Sequence, residues 1–514
     1  MGATRLRLGT RRSALARAQS GQIAARLEEL HPGLQVELIG IDTRGDRILD
    51  QPLSQVEGKE FFTAEIDAAL LRGEVDLTVH SYKDLSLERP PSLLLAAVPL
   101  RANPRDIVLF AADVIAQLAA GTPLRIGSSS PRRQAFVPGF LERALPGGRS
   151  SVQLVELRGN VDSRLRRLRE PRSSARHLDG VVLAFAGLSR LWQDRSGRAL
   201  LGELLPGLPR MVLPLSECPA APAQGALAVE CRAADQSTRD LLAALEHAPT
   251  RRAVAVERRL LAERGGGCHQ RFGATQLETP GLGSLLRWRE GSAATVTEWQ
   301  PETPLPSPGT VTGSWDGSER ARSEPAPLPD AAARCAAALA EAGAAFIAHR
   351  HALPAFDATL TAEAVNRCAH LWVPGVATWF DLARRGVWVE GCAEGLGVES
   401  LRPLLAEPLL QLPGAADWTA LTHQAAAAGW PGRAIATYRS VPRLGDASAG
   451  AALAAASHVY WHSSAQFEAW RANVGVSVHH ACGFGKTAER LRAAGVERLT
   501  VFPSVREWRH WLQS

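Results

Sequence analysis

The sequence predicts an α/β protein of several domains with mostly parallel sheets, and three observations carry that expectation. Short apolar strands alternate with helical stretches from Arg5 to about residue 190, the order that builds parallel sheets covered by helices. Two distant segments, LRLGTRRSA (6–14) and LRIGSSSPRRQA (124–135), share one plan of strand, Gly, hydroxyl residues, paired arginines and helix, which suggests paired α/β domains facing one cleft. A chain of 514 residues exceeds one ordinary core, and its composition shifts toward Ala, Trp and His from about residue 351.

The elements follow in order. Residues 5–9 (RLRLG) read as a strand. Ser13 then caps a helix to about Leu30, with Ala16, Ile23, Leu27 and Leu30 on one face. VELIGI (36–41) is the next strand, followed by a helix from about Thr63 to Arg72 with Gly73 as its stop and a strand VDLTVH (75–80). LRIGSS, SVQLVEL and GVVLAFA continue the alternation. ALAVEC and two helices lead to Gly265-Gly266-Gly267-Cys268. Residues 300–330, rich in Pro, Gly, Ser and Thr, read as loops around short strands, and a helix (329–342) with the strand AAFIAHR closes that region. Beyond 351, WVPGVATWFDLARRGVWVEG and VYWHSSAQFEAW…VSVHHACGFGKTAERLRAAGV loosely repeat strand, small-residue turn, helix and strand, as in a two-lobed α/β domain.

Composition narrows the function. Hydrophobic content of 46% and charged content of 21% suit a soluble globular protein. The net charge of +6 is dispersed, with 6% aromatics and no long run of like charge, so nucleic acid is not the expected partner. A small anionic substrate fits the arginine excess. Lysine occurs only at Lys59, Lys83 and Lys486, so a retained lysine is informative. Seven scattered cysteines without CxxC spacing argue against a disulfide framework and a zinc site, and no metal is expected. The start lacks a signal-peptide core and no stretch of 18 apolar residues occurs, so the expected location is cytoplasmic, off the membrane.

Three constellations carry chemistry. Arg11 with Ser13, and Ser128, Ser129, Arg132 and Arg133, stand where a strand hands over to a helix. Arg158 and Arg164 repeat this at the next strand end. Free N–H groups at helix starts plus guanidinium forks suit a substrate bearing several carboxylates. HSYKD (80–84) places Lys83 and Asp84 at a strand's carboxyl rim, where a carboxylate beside a heterocyclic N–H can orient the ring and stabilise a cation forming on it. Three glycines leave the Cys268 thiol accessible, for use as a nucleophile or a covalent attachment point.

Together LGTRRSALA, TRGD (43–46), GKEFF (58–62), HSYKD, GSSSPRRQ, LRGNVDSRL, APAQGALAVECR and GGGC resemble the hydroxymethylbilane synthase (porphobilinogen deaminase) family over residues 4–349. The resemblance implies two lobes like periplasmic binding proteins, residues 1–103 with 205–225 and residues 104–204, plus a small α+β third domain, 226–349. It implies a covalent dipyrromethane cofactor joined by a thioether to Cys268. Asp84 matches the catalytic aspartate, Arg11, Arg132, Arg133, Arg158 and Arg164 the arginines that bind acetate and propionate groups, and Ser13, Lys59, Lys83 and Ser129 accessory contacts. The implied activity joins four porphobilinogen molecules, releasing ammonia and then hydroxymethylbilane. Departures are Glu60 for a usual Gly, Leu85-Ser86 for Val-Pro, Pro131 for Leu and Arg271 for Pro; the chemical residues are intact.

Residues 351–514 more faintly resemble uroporphyrinogen III synthase, through the loose repeat, TYRSVP, YWHSSAQFEAW and GKTAERLRAAGV. Tyr438 matches that family's tyrosine, and Ser463, Ser464 and Thr487 match turn positions near its cleft. The region is short for the family and lacks an evident opening strand. Two alternatives stand beside the bifunctional reading: a deaminase with an inert C-terminal scaffold, and a non-catalytic binding protein.

Overall fold

The computed structural model describes residues 4–43, 63–148, 151–266, 270–317, 323–430, 432–442, 447–475 and 477–514. Strands β1 (Thr4–Arg11), β2 (Leu34–Ile41), β3 (Leu77–Ser81) and β4 (Leu93–Ala97) open the chain. They are followed by β5 (Asp106–Phe110), β6 (Leu124–Gly127), β7 (Val152–Val155), β8 (Gly180–Ala184), β9 (Arg210–Val212) and β10 (Leu227–Arg232). Two five-stranded sheets result, in the orders β2-β1-β3-β10-β4 and β7-β6-β8-β5-β9. In each, three parallel strands are followed by one antiparallel strand that arrives from the other lobe, so two polypeptide crossings join the pair. These are the two α/β lobes implied by the repeated strand–Gly–Arg plan.

Local chemistry explains the helices at the cleft. Ser13 caps the helix Ala14–Leu30, its Oγ accepting from the Ala16 N–H at 3.3 Å. Ser130 caps Pro131–Ala144 in the same way, and Pro131 stands in the first turn, where its missing N–H costs nothing. The departure at Pro131 is thus compatible with the helix start.

The third unit is an antiparallel meander of β11 (Phe272–Thr279), β12 (Gly283–Glu290) and β13 (Val296–Gln300), with the helix Ala248–Glu263 against β11. The remaining strands are β14 (Ser314–Trp315), β15 (Ser323–Pro327), β16 (Ala344–Ile347), β17 (His370–Val373), β18 (Gly391–Cys392), β19 (Trp418–His423), β20 (Arg433–Pro442), β21 (His458–Trp461), β22 (His479–Gly483) and β23 (Leu499–Phe502). They form a six-stranded sheet, β15-β20-β19-β16-β17-β18, and a four-stranded parallel sheet, β14-β21-β22-β23. This is a two-lobed α/β arrangement.

Sheet membership departs from the expected boundaries at three places. β9 belongs to the second sheet, so the chain stays in that lobe past residue 204. β10, expected beyond the 225/226 boundary, sits inside the first sheet between β3 and β4. β14, β15 and β16 pair with C-terminal strands, and β16 lies between β19 and β17, so the 349/351 boundary falls between two paired strands. Strand length and apolarity reveal a strand but not its ladder partner, which here is up to 154 residues away, as Leu77 is from Cys231.

The C-terminal region is packed on the second lobe. Phe140 meets Trp379 edge-on at 5.3 Å, Phe110 meets Trp388 at 5.2 Å, and one buried cluster includes Phe136, Phe140, Trp379 and Leu382. Trp379 Nε1 donates to the Ala144 carbonyl at 3.1 Å, and the Val212 N–H donates to the Glu390 carbonyl at 2.7 Å. Glu394 is the polar centre of this seam. Its carboxylate, 1% exposed, accepts from Arg105 Nη2 at 2.5 Å, from the Ser216 N–H at 3.0 Å and from Arg287 of β12. One buried acid therefore ties both lobe crossings and the third unit to the C-terminal region.

Candidate functional site

Asp106, the first residue of β5, organises the junction of the lobes. It accepts from Arg132 Nη2 at 2.7 Å, Arg133 Nη2 at 2.8 Å and Gln224 Nε2 at 2.8 Å. Burial alone would raise its pKa, but the two guanidiniums outweigh that and hold the carboxyl below the ordinary range. The other arms of the arginines reach main chain: Arg132 Nη1 donates to the Pro219 carbonyl and Arg133 Nη1 to that of Val182, at 2.8 and 2.9 Å. Each Nε is buried without a partner among the described residues.

Gln224 links this centre to the first lobe, its Oε1 accepting from Lys83 Nζ at 3.3 Å. Lys83 and Asp84 form the short 3-10 turn that ends β3, at the carboxyl rim expected from HSYKD. Burial lowers the Lys83 pKa, partly countered by Asp84 and Asp106. The Asp84 side chain stands exposed at the rim.

Arg158 and Arg164 complete a cationic patch beside Arg133. Arg158 Nε and Nη2 are buried without a partner among the described residues, and Arg164 donates through Nε to the Gly159 carbonyl at 2.7 Å. Desolvation, with repulsion from Arg133 and Arg158, pushes Arg164 down to about 10. Asp106 is the carboxylate that pairs with Arg132 and Arg133, and two more cations share their neighbourhood. Such a patch suits a ligand that carries its own carboxylates.

The remaining expected residues divide. Arg11 ends β1, half-buried and close enough to His80 to repel its protonated form. Ser13 serves its helix as the N-cap. Ser129 Oγ donates to the Leu157 carbonyl at 2.5 Å and accepts from the Leu157 N–H at 3.0 Å, which fixes the turn carrying Arg158. Lys59 and Cys268 lie outside the described residues, as do Glu60, most of TRGD and all of GKEFF. Arg271 follows Cys268 closely and precedes β11.

Asp106 and Gln224 were not singled out from the sequence. DIVLF reads as an ordinary buried strand, and the signal available was a charged residue opening an apolar run. A second buried network lies behind HSYKD. Arg89 bridges Asp67 and Glu230 at 2.8 Å, and burial pushes the neighbouring His80 down to about 4. Asp67, His80 and Glu230 could converge on a metal, but Arg89 already neutralises the carboxylates.

In the C-terminal region Ser463, Ser464 and Thr487 stand just beyond the carboxyl ends of strands, and Tyr438, within β20, is level with the end of β19. Tyr438 is buried on β20 opposite His423. Ser463 caps the helix Ser464–Trp470 after β21, and Thr487 is in the first turn of the helix Lys486–Ala493 after β22. Lys486 Nζ lies 5.1 Å over the ring of Trp430, a contact that connects the two lobes. Among the described residues no helix is long and apolar enough to cross a membrane.

A profile for "Porphobilinogen deaminase, dipyromethane cofactor binding domain" matches residues 6–240. The chain is 43% identical over 268 residues to a porphobilinogen deaminase of Trichlorobacter lovleyi, covering 52% of this chain and 77% of that protein. It is 39% identical over 295 residues to the porphobilinogen deaminase of Xanthomonas oryzae pv. oryzae, covering 57% of this chain and 87% of that protein. Among solved structures, the similarity to YhfZ from Shigella flexneri is at 15% identity and a TM-score of 0.24, spanning 52% of this chain and 94% of that one.

Proposed function

Because this chain belongs to the porphobilinogen deaminase family, we propose that its first two lobes join four porphobilinogen molecules, with loss of ammonia at each addition, on the patch between Asp84 and the arginines. The observation that carries the assignment of residues is Arg158, whose Nε and Nη2 are buried without a partner among the described residues, beside Arg133 and Arg164, facing a ligand that must bring carboxylates. The dipyrromethane group that the family's domain binds supplies the acceptor pyrrole when present; Cys268 would hold it by a thioether, and Arg132, Arg133 and Arg158 by its acidic side chains, with Ser13, Lys59 and Ser129 as accessory contacts. The unsatisfied Nε atoms of Arg132 and Arg133 support that fit.

The chain's own residues divide the remaining work. Asp84, exposed at the rim, accepts a pyrrole N–H and stabilises the positive charge left as ammonia departs. Arg11, Arg158 and Arg164 hold acetate and propionate groups through charge-assisted hydrogen bonds. Lys83, tied to Gln224 and through it to Asp106, fixes the turn that presents Asp84 to the second lobe.

The test is intact mass with peptide mapping around Cys268. A mass excess of two linked pyrroles on that cysteine is expected, together with loss of tetrapyrrole formation in Asp84→Ala. An unmodified Cys268 in protein made with ample porphobilinogen would overturn the assignment in favour of a binding protein.

A second activity, cyclisation of hydroxymethylbilane to uroporphyrinogen III, is the reading we favour for the C-terminal region. Two α/β lobes set parallel strand ends about Tyr438, Ser463, Ser464 and Thr487, and this arrangement supports it. Supplying hydroxymethylbilane to the full-length Asp84→Ala chain tests it. The III isomer above the spontaneous I isomer is expected; the I isomer alone would leave an inert scaffold.

A further inference from the structure

Three histidines gather at the carboxyl rim of the six-stranded sheet, and neither sequence resemblance used them. His349 follows β16 by two residues, His351 lies just beyond, and His423 ends β19 opposite Tyr438. The rings of His349 and His351 are 4.9 Å apart. Both lie 6.4 Å from the Tyr438 ring, and His423 lies 5.9 Å from it. In open parallel sheets this rim is where ligands bind.

The surroundings are short of negative charge, Asp381 being the carboxylate that acts on His349 and His351. Arg350 Nε donates to His351 Nε2 at 3.3 Å, an arrangement that needs a neutral imidazole, and among the described residues Arg350 has no carboxylate partner. Lys486, one of three lysines in the chain, comes from the opposite lobe and lies over Trp430; it too has no carboxylate partner among the described residues. Among the described residues, His423 Nδ1 and Trp430 Nε1 are buried without hydrogen-bond partners. The lobes approach closely nearby, where a Cβ placed on Gly397 or Gly485 would stand 3.7 Å from the other's Cα. Two cations without a carboxylate partner and two ring nitrogens without a hydrogen-bond partner, among the described residues, thus line a rim between two lobes.

We propose that His349, His351 and His423, with Arg350 and Lys486, form a polycarboxylate-binding site that takes up protons as its ligand binds. The identity of the ligand, an open-chain tetrapyrrole with acidic side chains, rests on the cyclisation reading; the proton-linked anion site does not.

The charged groups facing the imidazoles set the direction. Desolvation, then His351, Arg350 and His423, push His349 down to about 4, with Asp381 opposing. Desolvation and Arg350 lower His351, with Asp381 again opposing, and desolvation and Lys486 lower His423. The free site is therefore neutral at its imidazoles near pH 7. An arriving carboxylate favours the charged forms, so binding draws protons in and strengthens as the pH falls.

The experiment is calorimetric titration of the full-length, cofactor-bearing chain with uroporphyrin I, an unreactive octacarboxylate, in buffers of different ionisation enthalpy. Net proton uptake is expected, with affinity rising about tenfold or more from about pH 8 to about pH 6. His349→Asn and His423→Gln should reduce the uptake. Lys486→Gln, an exposed change that leaves folding untouched, should weaken binding about tenfold while uptake persists. Binding that is independent of pH, or unchanged in all three variants, overturns the proposal. The isomer assay separates the two readings. Proton-linked binding with only the I isomer keeps this site and removes cyclisation, whereas the III isomer formed at equal rates by all three variants keeps cyclisation and removes this site.

Discussion

Replacing Glu394 with Ala should destabilise the protein more than any exposed substitution, and the size follows from its surroundings. The carboxylate is 1% exposed and is shared by Arg105 and Arg287, whose side chains are 13% and 7% exposed. Deleting it leaves two buried guanidiniums and the Ser216 N–H without their acceptor. Breaking a buried ion pair from one side costs about 3–5 kcal/mol. At about 2–4 °C per kcal/mol for a cooperative unit of about 150–250 residues, the size of the C-terminal region, the melting transition of that unit should fall by at least about 6 °C. Scanning calorimetry of the full chain measures this. Glu394→Gln should be intermediate, because one amide oxygen can serve one arginine while its NH2 faces the other. Glu399→Ala, which removes an exposed pair with Arg402, should change stability by less than about 1 kcal/mol. A Glu394→Ala transition within about 1 °C of wild type would refute the reasoning and show that this seam does not bear on the folded state.

Other outcomes are expected from the same structure. Asp84→Ala should abolish tetrapyrrole formation with circular dichroism unchanged; near-normal turnover would remove Asp84 from the chemistry. Arg158→Leu should raise KM for porphobilinogen or block elongation by about tenfold to a hundredfold, in line with losing a charge-assisted hydrogen bond, while Arg26→Leu, on an exposed helix surface, should be silent in the same assay. His80, with its folded pKa pushed down to about 4, binds fewer protons folded than unfolded, so its contribution is complete above about pH 6.5 and is lost as the pH falls toward about 4. Denaturant titrations across that window should show a slope that His80→Gln reduces; an identical slope in the variant would exclude His80. A chain cut after residue 312 should aggregate, because Phe110, Phe140 and the Arg105 side chain would lose the surfaces that cover them; a monodisperse fragment by light scattering would contradict that.

Much of the first site was legible because its chemistry sits at element boundaries, which leave local signals. Ser13 before an apolar-periodic run, paired arginines after a strand and Lys83-Asp84 at a strand end all express short-range geometry. What escaped depends on contacts distant in sequence. Asp106 meets Arg132 across 26 residues and Gln224 across 118, and nothing in DIVLF announces either partner. Glu394 meets Arg105 across 289 residues. The placement of β16 between β17 and β19 is a choice among ladders that strand composition does not make. The histidines of the C-terminal rim illustrate the same point: His349 and His423 are 74 residues apart in the sequence, and only the ends of two parallel strands bring them to one tyrosine.

The seam between the second lobe and the C-terminal region also fixes what can swing. Trp379 is sealed against the helix Pro131–Ala144, and Glu394 holds both crossings, so a pivot at those crossings cannot turn the second lobe by itself. It must carry the whole C-terminal region as cargo, and the lighter first lobe becomes the moving jaw. Any turn of the second lobe then works against the viscous drag of that region as well as its own.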